Sequence, residues 1–171
     1  MTDPPGPAAS AEDPLQHRAH HLAGAIYGTI LATAVVATAG YNPDKVNKTV
    51  VIVAVTSAVF WLAHVYSLAV ASRIVAKRPL TRSEVRSIAV AEWPMLQSCW
   101  PILASLFLGV LGVISREAAI DLAMIVGIAA LFTYGLIIGR QERLGWRRIA
   151  VNASVTATFG VAILVMKVLV H

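Results

Sequence analysis

The stretch Thr49–Ser72, TVVIVAVTSAVFWLAHVYSLAVAS, runs for 24 residues without an Asp, Glu, Lys or Arg. An α-helix rises 1.5 Å per residue, so crossing a hydrocarbon core of about 30 Å takes about 20 apolar residues. This stretch is long enough. Four others share its character: Leu22–Gly40 (19 residues), Trp93–Ser115 (23), Leu122–Gly139 (18) and Ile149–Met166 (18). The two shortest gain length from their flanks, Ala118–Ile120 ahead of one and Lys167, which can snorkel, with Val168–Val170 behind the other. Lipid offers the backbone no hydrogen-bond partners, so each stretch is read as a helix. Short alternating segments of the kind a barrel needs are not visible.

Composition points the same way. Of 171 residues, 57% are hydrophobic and 13% charged, and the mean hydropathy is +0.71. Soluble domains are about 45–50% apolar and about 25% charged, so a water-soluble globule and a disordered chain are both excluded. A single Cys excludes a disulfide framework and a Cys-based zinc site. The expected fold is all-α: a polytopic membrane helix bundle of five transmembrane helices. It forms one domain over residues 14–171, after a disordered tail over 1–13 that carries Pro4, Pro5, Gly6 and Pro7.

Lys and Arg set the orientation. With five helices, the N-terminus, the second loop and the fourth loop share one side. That side carries Arg18, Arg73, Lys77, Arg78, Arg82, Arg86, Arg140, Arg143, Arg147 and Arg148, ten cations against four (Lys45, Lys48, Arg116, Lys167) on the other. The N-terminus is therefore expected inside and the C-terminus outside. The net charge of +5 becomes a property of the cytoplasmic face, where Arg73, Lys77, Arg78, Arg82 and Arg86 are expected to contact anionic lipid. No domain is left over to bind nucleic acid. Ala37-Thr38-Ala39 has the form of a signal-peptidase site, but Asp3, Glu12 and Asp13 make an acidic leader, so the first helix is read as retained.

Local signals punctuate the chain. Asp13, Pro14 and Gln16 form a helix start with a capping box, and Tyr41-Asn42-Pro43-Asp44 an outer turn. Thr81 and Glu84 make a second capping box, so a helix is expected to begin at Arg82 and lie at the interface as an amphipathic segment before the third span. Pro94 disfavours helix at Trp93, which either breaks the chain or kinks one long helix; Pro101 bends the span further. Trp93 and Trp146 sit where interfacial anchors belong.

Small residues recur every four positions at Gly24, Gly28, Ala32, Val36 and Gly40, and again at Ala123, Gly127, Leu131, Gly135 and Gly139. Asn152, Thr156 and Gly160 form a shorter stripe. That spacing puts them on one helix face and lets backbones approach closely, either within the bundle or against a partner.

His64 is the one ionisable side chain deep in a span, nine residues before Arg73 and so about 14 Å along the helix from it. That distance predicts a place near mid-membrane. Intramembrane ionisable residues are costly, and an imidazole titrates near neutrality, so a proton-handling role is chemically reasonable. The competing reading is a neutral His that hydrogen-bonds between helices. Counting from the nearest cytoplasmic charges puts Tyr27, Glu92, Tyr134 and Asn152 in the same half of the bilayer, a candidate polar layer centred on a His64–Glu92 pair. If Pro94 breaks the chain, Glu92 is expected to face water instead, with Gln97 as the deeper partner. His17, His20 and His21 have metal-ligand spacing but no evident fourth ligand, so they are read as solvated juxtamembrane residues and no metal is expected. Glu117 and Asp121 read as solvated charges beside Arg116, and Cys99 as packing.

The segments Gly24-Ala25-Ile26-Tyr27-Gly28-Thr29-Ile30, Phe60-Trp61-Leu62-Ala63-His64-Val65-Tyr66 and Glu92-Trp93-Pro94-Met95-Leu96 resemble small multi-pass membrane proteins of actinobacteria. The resemblance covers the five spans and not the Pro-rich tail. It implies a place in the bacterial cytoplasmic membrane and no particular chemistry.

The leading expectation is a non-enzymatic accessory or assembly component that acts through helix packing and needs no cofactor. A homo-oligomer or another membrane protein is its expected contact. The alternative is a small oligomeric proton or cation path with His64 as the titrating group. Short loops leave little room for an active site outside the bilayer.

Overall fold

The computed structural model of the protein describes residues 14–39, 46–141 and, further on, Val151, Ser154, Val155, Thr158, Gly160, Ala162 and Val165. The Pro-rich segment 1–13, the turn at Tyr41–Asp44, Trp146 and Asn152 lie outside the described residues. Every regular element among the described residues is α-helical. In order they are α1 (Pro14–Ala39), α2 (Val46–Ala76), α3 (Arg82–Ala91), α4 (Trp93–Gln97), α5 (Trp100–Val110) and α6 (Arg116–Gln141).

Four segments are long and apolar enough to cross a membrane: His20–Thr38, Val46–Ala76, Trp93–Val110 and Arg116–Arg140. Their outward faces stay apolar. Leu62 on α2, Phe107 and Leu108 on α5, and Ile125 and Phe132 on α6 are all exposed. A water-soluble monomer rarely displays such continuous apolar surface, whereas lipid solvates it without penalty. The described residues between 151 and 165 are helical as well, and Gly160 is buried against Ile128 of α6.

The buried core lies between α1, α2, α5 and α6, where Ala32, Val36, Val53, Cys99, Ile102, Leu106, Ala123 and Met124 meet. Small residues set the helix spacing. A Cβ on Gly28 would collide with the Met95 carbonyl and the Ser98 hydroxyl, and one on Gly127 with the Thr33 side chain. Gly135 and Gly139 are buried too. These close approaches show α1 running parallel to α4 and against α6.

The third span is not one helix. It divides into α4 and α5 at Ser98–Cys99, because Pro101 has no N–H for the Gln97 carbonyl. Pro94 likewise prevents α3 from continuing into α4, and the break falls on Glu92 (φ −87°, ψ 0°). Gly112, at φ 72°, closes the α5–α6 hairpin. Val113 N–H donates to the Leu108 carbonyl and Gly112 N–H to Gly109, the two bonds of a Schellman cap.

The expected capping box at α3 is formed. The Glu84 N–H donates to the Thr81 hydroxyl, and the Thr81 N–H donates to Glu84 Oε2 at 2.7 Å. Arg78 adds a fork: Nη2 donates to Oε1 at 2.5 Å and Nη1 to Oε2 at 3.1 Å. The guanidinium, with the Thr81 N–H and hydroxyl, holds the Glu84 carboxyl down at about 2, from an ordinary 4.5. Arg78 is raised in turn by the same carboxylate. No residue of α3 is buried.

Candidate functional site

The site grows out of the break between α3 and α4. Glu92 ends one helix and begins the next, so its side chain leaves the axis of both and enters the wedge between α1 and α2. Only 2% of it is exposed. Gly24 of α1 lies against it: a Cβ there would stand 3.8 Å from Glu92 Oε2, an ordinary contact.

Two imidazoles reach this carboxylate from two other helices. His20 Nε2 of α1 lies 2.5 Å from Oε1, and His64 Nε2 of α2 lies 3.3 Å from Oε2. An ionised carboxylate only accepts hydrogen bonds, so the nitrogen that donates to it must carry the proton. The imidazoles take opposite oxygens, an arrangement that bridges helices. Among the described residues no three His, Cys, Asp or Glu side chains are arranged to hold a metal ion. Both imidazoles are about half exposed, while the acid between them is buried.

Aromatic rings frame the cluster. Tyr27 stacks on His64, with centroids 6.3 Å apart and planes inclined by 27°. Trp61 meets Trp93 edge to face at 5.9 Å. Each contact ties α2 to a neighbouring element, α1 in the first case and α4 in the second.

Of the expected polar layer, the structure brings His64, Glu92 and Tyr27 together. Tyr134 stands on α6, and among the described residues no hydrogen bond or ring contact joins it to the cluster; Asn152 lies outside the described residues. The chain does break at Pro94, yet Glu92 does not face water. The break turns the carboxylate inward, and Gln97 is exposed instead. His64 of α2 is level with Glu92, which stands just before the third apolar segment.

Sequence reasoning missed His20, which it grouped with His17 and His21 as solvated. A signal was present: His20, Gly24 and Gly28 are spaced by four, so His20 extends the close-packing face of α1 by one turn. His21 lies with Arg86, Ser83 and Ser87 along a groove between α1 and α3. The remaining anionic-lipid candidates, Arg73, Lys77 and Arg82, are exposed, and Arg78 is held by Glu84.

Beyond the cluster the packing becomes dry. The Cys99 thiol donates to Ser57 Oγ at 3.2 Å. The buried hydroxyls of Thr29 and Thr33 turn back onto the carbonyls of Ala25 and Thr29. After them come Val36, Val53, Ile102 and Leu106, each at most 1% exposed.

Compared with protein-family models, with curated proteins and with solved structures, the chain finds no match.

Proposed function

We propose that the protein is a five-span component of the bacterial cytoplasmic membrane, with its N-terminus inside and its C-terminus outside. It acts through helix packing rather than catalysis, as an accessory or assembly component. Its His20–Glu92–His64 cluster is a polar clamp near the cytoplasmic end, with α3 lying at the interface beside it. The observation that carries this reading is one buried carboxylate held by imidazoles from two other helices. A buried acid without partners is strongly destabilising, so the arrangement favours the one packing that supplies both.

A proton path is the second reading, favoured by the half-exposed imidazoles on either side of the acid. Within one copy it meets an obstacle. Thr29 and Thr33 spend their hydrogens on their own helix, and Val36, Val53, Ile102 and Leu106 fill the space beyond. Conduction would have to run between copies.

Proteoliposomes separate the readings. On the clamp reading, wild-type protein leaves the decay of an imposed pH gradient at the rate of empty vesicles, and Glu92→Gln lowers the melting temperature. A gradient that collapses with the wild type and survives with His64→Ala would replace the clamp by conduction.

A further inference from the structure

The corner between α2 and α3 holds a groove that the packing of the bundle leaves open. Tyr66, Val70, Arg73 and Ile74 from the last turns of α2, with Lys77, Arg78 and Pro79 after it, line an open groove of about 520 Å³. It adjoins a hollow of about 270 Å³ where Leu80 and Val85 add an apolar wall.

Its charge is uncompensated. Arg78 is neutralised by Glu84. Among the described residues, Arg73 and Lys77 face no carboxylate within ion-pair distance. Two cations therefore converge on the groove with no anion of the protein to meet them. The backbone adds an independent sign. Lys77 has φ 51° and is the sole described residue other than glycine with a positive φ. That conformation is disfavoured for an L-residue, because it brings the Cβ too close to the following carbonyl oxygen. Glycine usually fills this place after a helix, yet here it is a lysine that lines the groove.

The apolar side is just as specific. Val55, Val59, Leu62, Tyr66, Val70 and Ile74 follow one another at intervals of three or four along α2, and all are exposed. They form a continuous line from the middle of the span into the groove. A free anion needs only the cations, whereas this line matches a hydrocarbon chain.

We propose that the groove binds an anionic phospholipid. Arg73 and Lys77 hold its phosphate and headgroup, and one acyl chain lies along the α2 line. Arg78 keeps the corner folded through Glu84 and does not contact the lipid. This site rests on the membrane reading above. A chain that is monodisperse in plain buffer would defeat that reading, whereas a failed lipid titration on detergent-solubilised protein defeats only this one.

The test is a melting-temperature titration of the full chain in neutral detergent with three probes. They are short-chain phosphatidylglycerol, phosphatidylcholine of the same chains, and inorganic phosphate. The wild type should show a saturable rise with phosphatidylglycerol alone. At about 1 kcal/mol per cation, Lys77→Gly should weaken the apparent affinity about fivefold, and Arg73→Gln with Lys77→Gly about thirtyfold. Lys77→Gly relieves the backbone, so its lipid-free melting temperature should hold or rise, which separates lost binding from lost folding. An equal response to phosphatidylcholine would overturn the proposal. So would an equal response to phosphate, which would mark a free-anion site. Undiminished phosphatidylglycerol binding by Lys77→Gly would overturn it as well.

Discussion

The imidazole of His20 and the carboxylate of Glu92 stand 72 residues apart in sequence and meet at 2.5 Å. Nothing local holds them together. Their meeting requires α1 and α4 to run side by side, which the absence of a side chain at Gly28 allows. The contact is thus a product of the bundle's packing, and its loss should be felt as a loss of packing.

Gly24 and Gly28 lie one turn apart on that interface and should respond oppositely to a methyl group. At Gly24 an added Cβ meets only ordinary contacts, at 3.7 Å and beyond. Gly24→Ala should be neutral, or stabilise by up to about 1 kcal/mol through helix propensity. At Gly28 the obstacle is the Met95 backbone, which cannot rotate away. Gly28→Ala should destabilise by about 1–3 kcal/mol. Unfolding of both variants in detergent checks the pair, and equal effects would contradict the close approach.

Cys99 is 1% exposed and its thiol points toward Ser57. In folded protein it should resist a maleimide reagent, and heating through the melting transition should release it at the rate of an unfolded thiol. Fast labelling of native protein would place Cys99 on a surface and dismantle the α2–α5 contact.

Glu84 gives the α3 corner a pH dependence whose sign follows from its depressed carboxyl. The unfolded carboxyl titrates near 4.5 and the folded one near 2. The stabilisation is therefore complete above about pH 4.5 and is lost as pH falls toward 2. Hydrogen exchange at the amides of Val85 and Ile88 should show full protection at pH 6, eroding between those two values. Glu84→Gln should erase the dependence. Protection that is flat with pH in the wild type would mean that Arg78 and Thr81 do not hold this acid.

Much of this architecture can be read directly from residues. The Thr81–Glu84 box starts α3, Pro94 separates α3 from α4, Pro101 divides the third apolar segment, and uncharged runs mark the segments long enough to cross a membrane. Simple counting puts Tyr27, His64 and Glu92 at similar depths, and the structure brings the three together. What counting could not supply is lateral: which face of each helix turns toward which neighbour. Glu92 illustrates the limit, since a chain break ordinarily exposes a carboxylate, whereas this one is turned inward onto His20 and His64. His20 illustrates it too, because neighbouring histidines suggested solvent while the glycine register suggested contact.

Orientation and span number are tested together with alkaline phosphatase, which is active only outside the cytoplasm. Fused after Pro79 it should be inactive, and fused after Gly112 it should be active. Fused after His171 it should be active if the chain crosses five times. An inactive C-terminal fusion, with the first two as stated, would reduce the count to four.

The clamp is tested most directly by the coupling between its two closest members. Unfolding free energies in detergent would be measured for the wild type, His20→Gln, Glu92→Gln and the double variant. A charge-assisted hydrogen bond between helices predicts an interaction energy of about 1 kcal/mol or more, with the double variant costing less than the sum of the singles. Costs that add to within about 0.3 kcal/mol would show that the two side chains do not meet and would contradict the account.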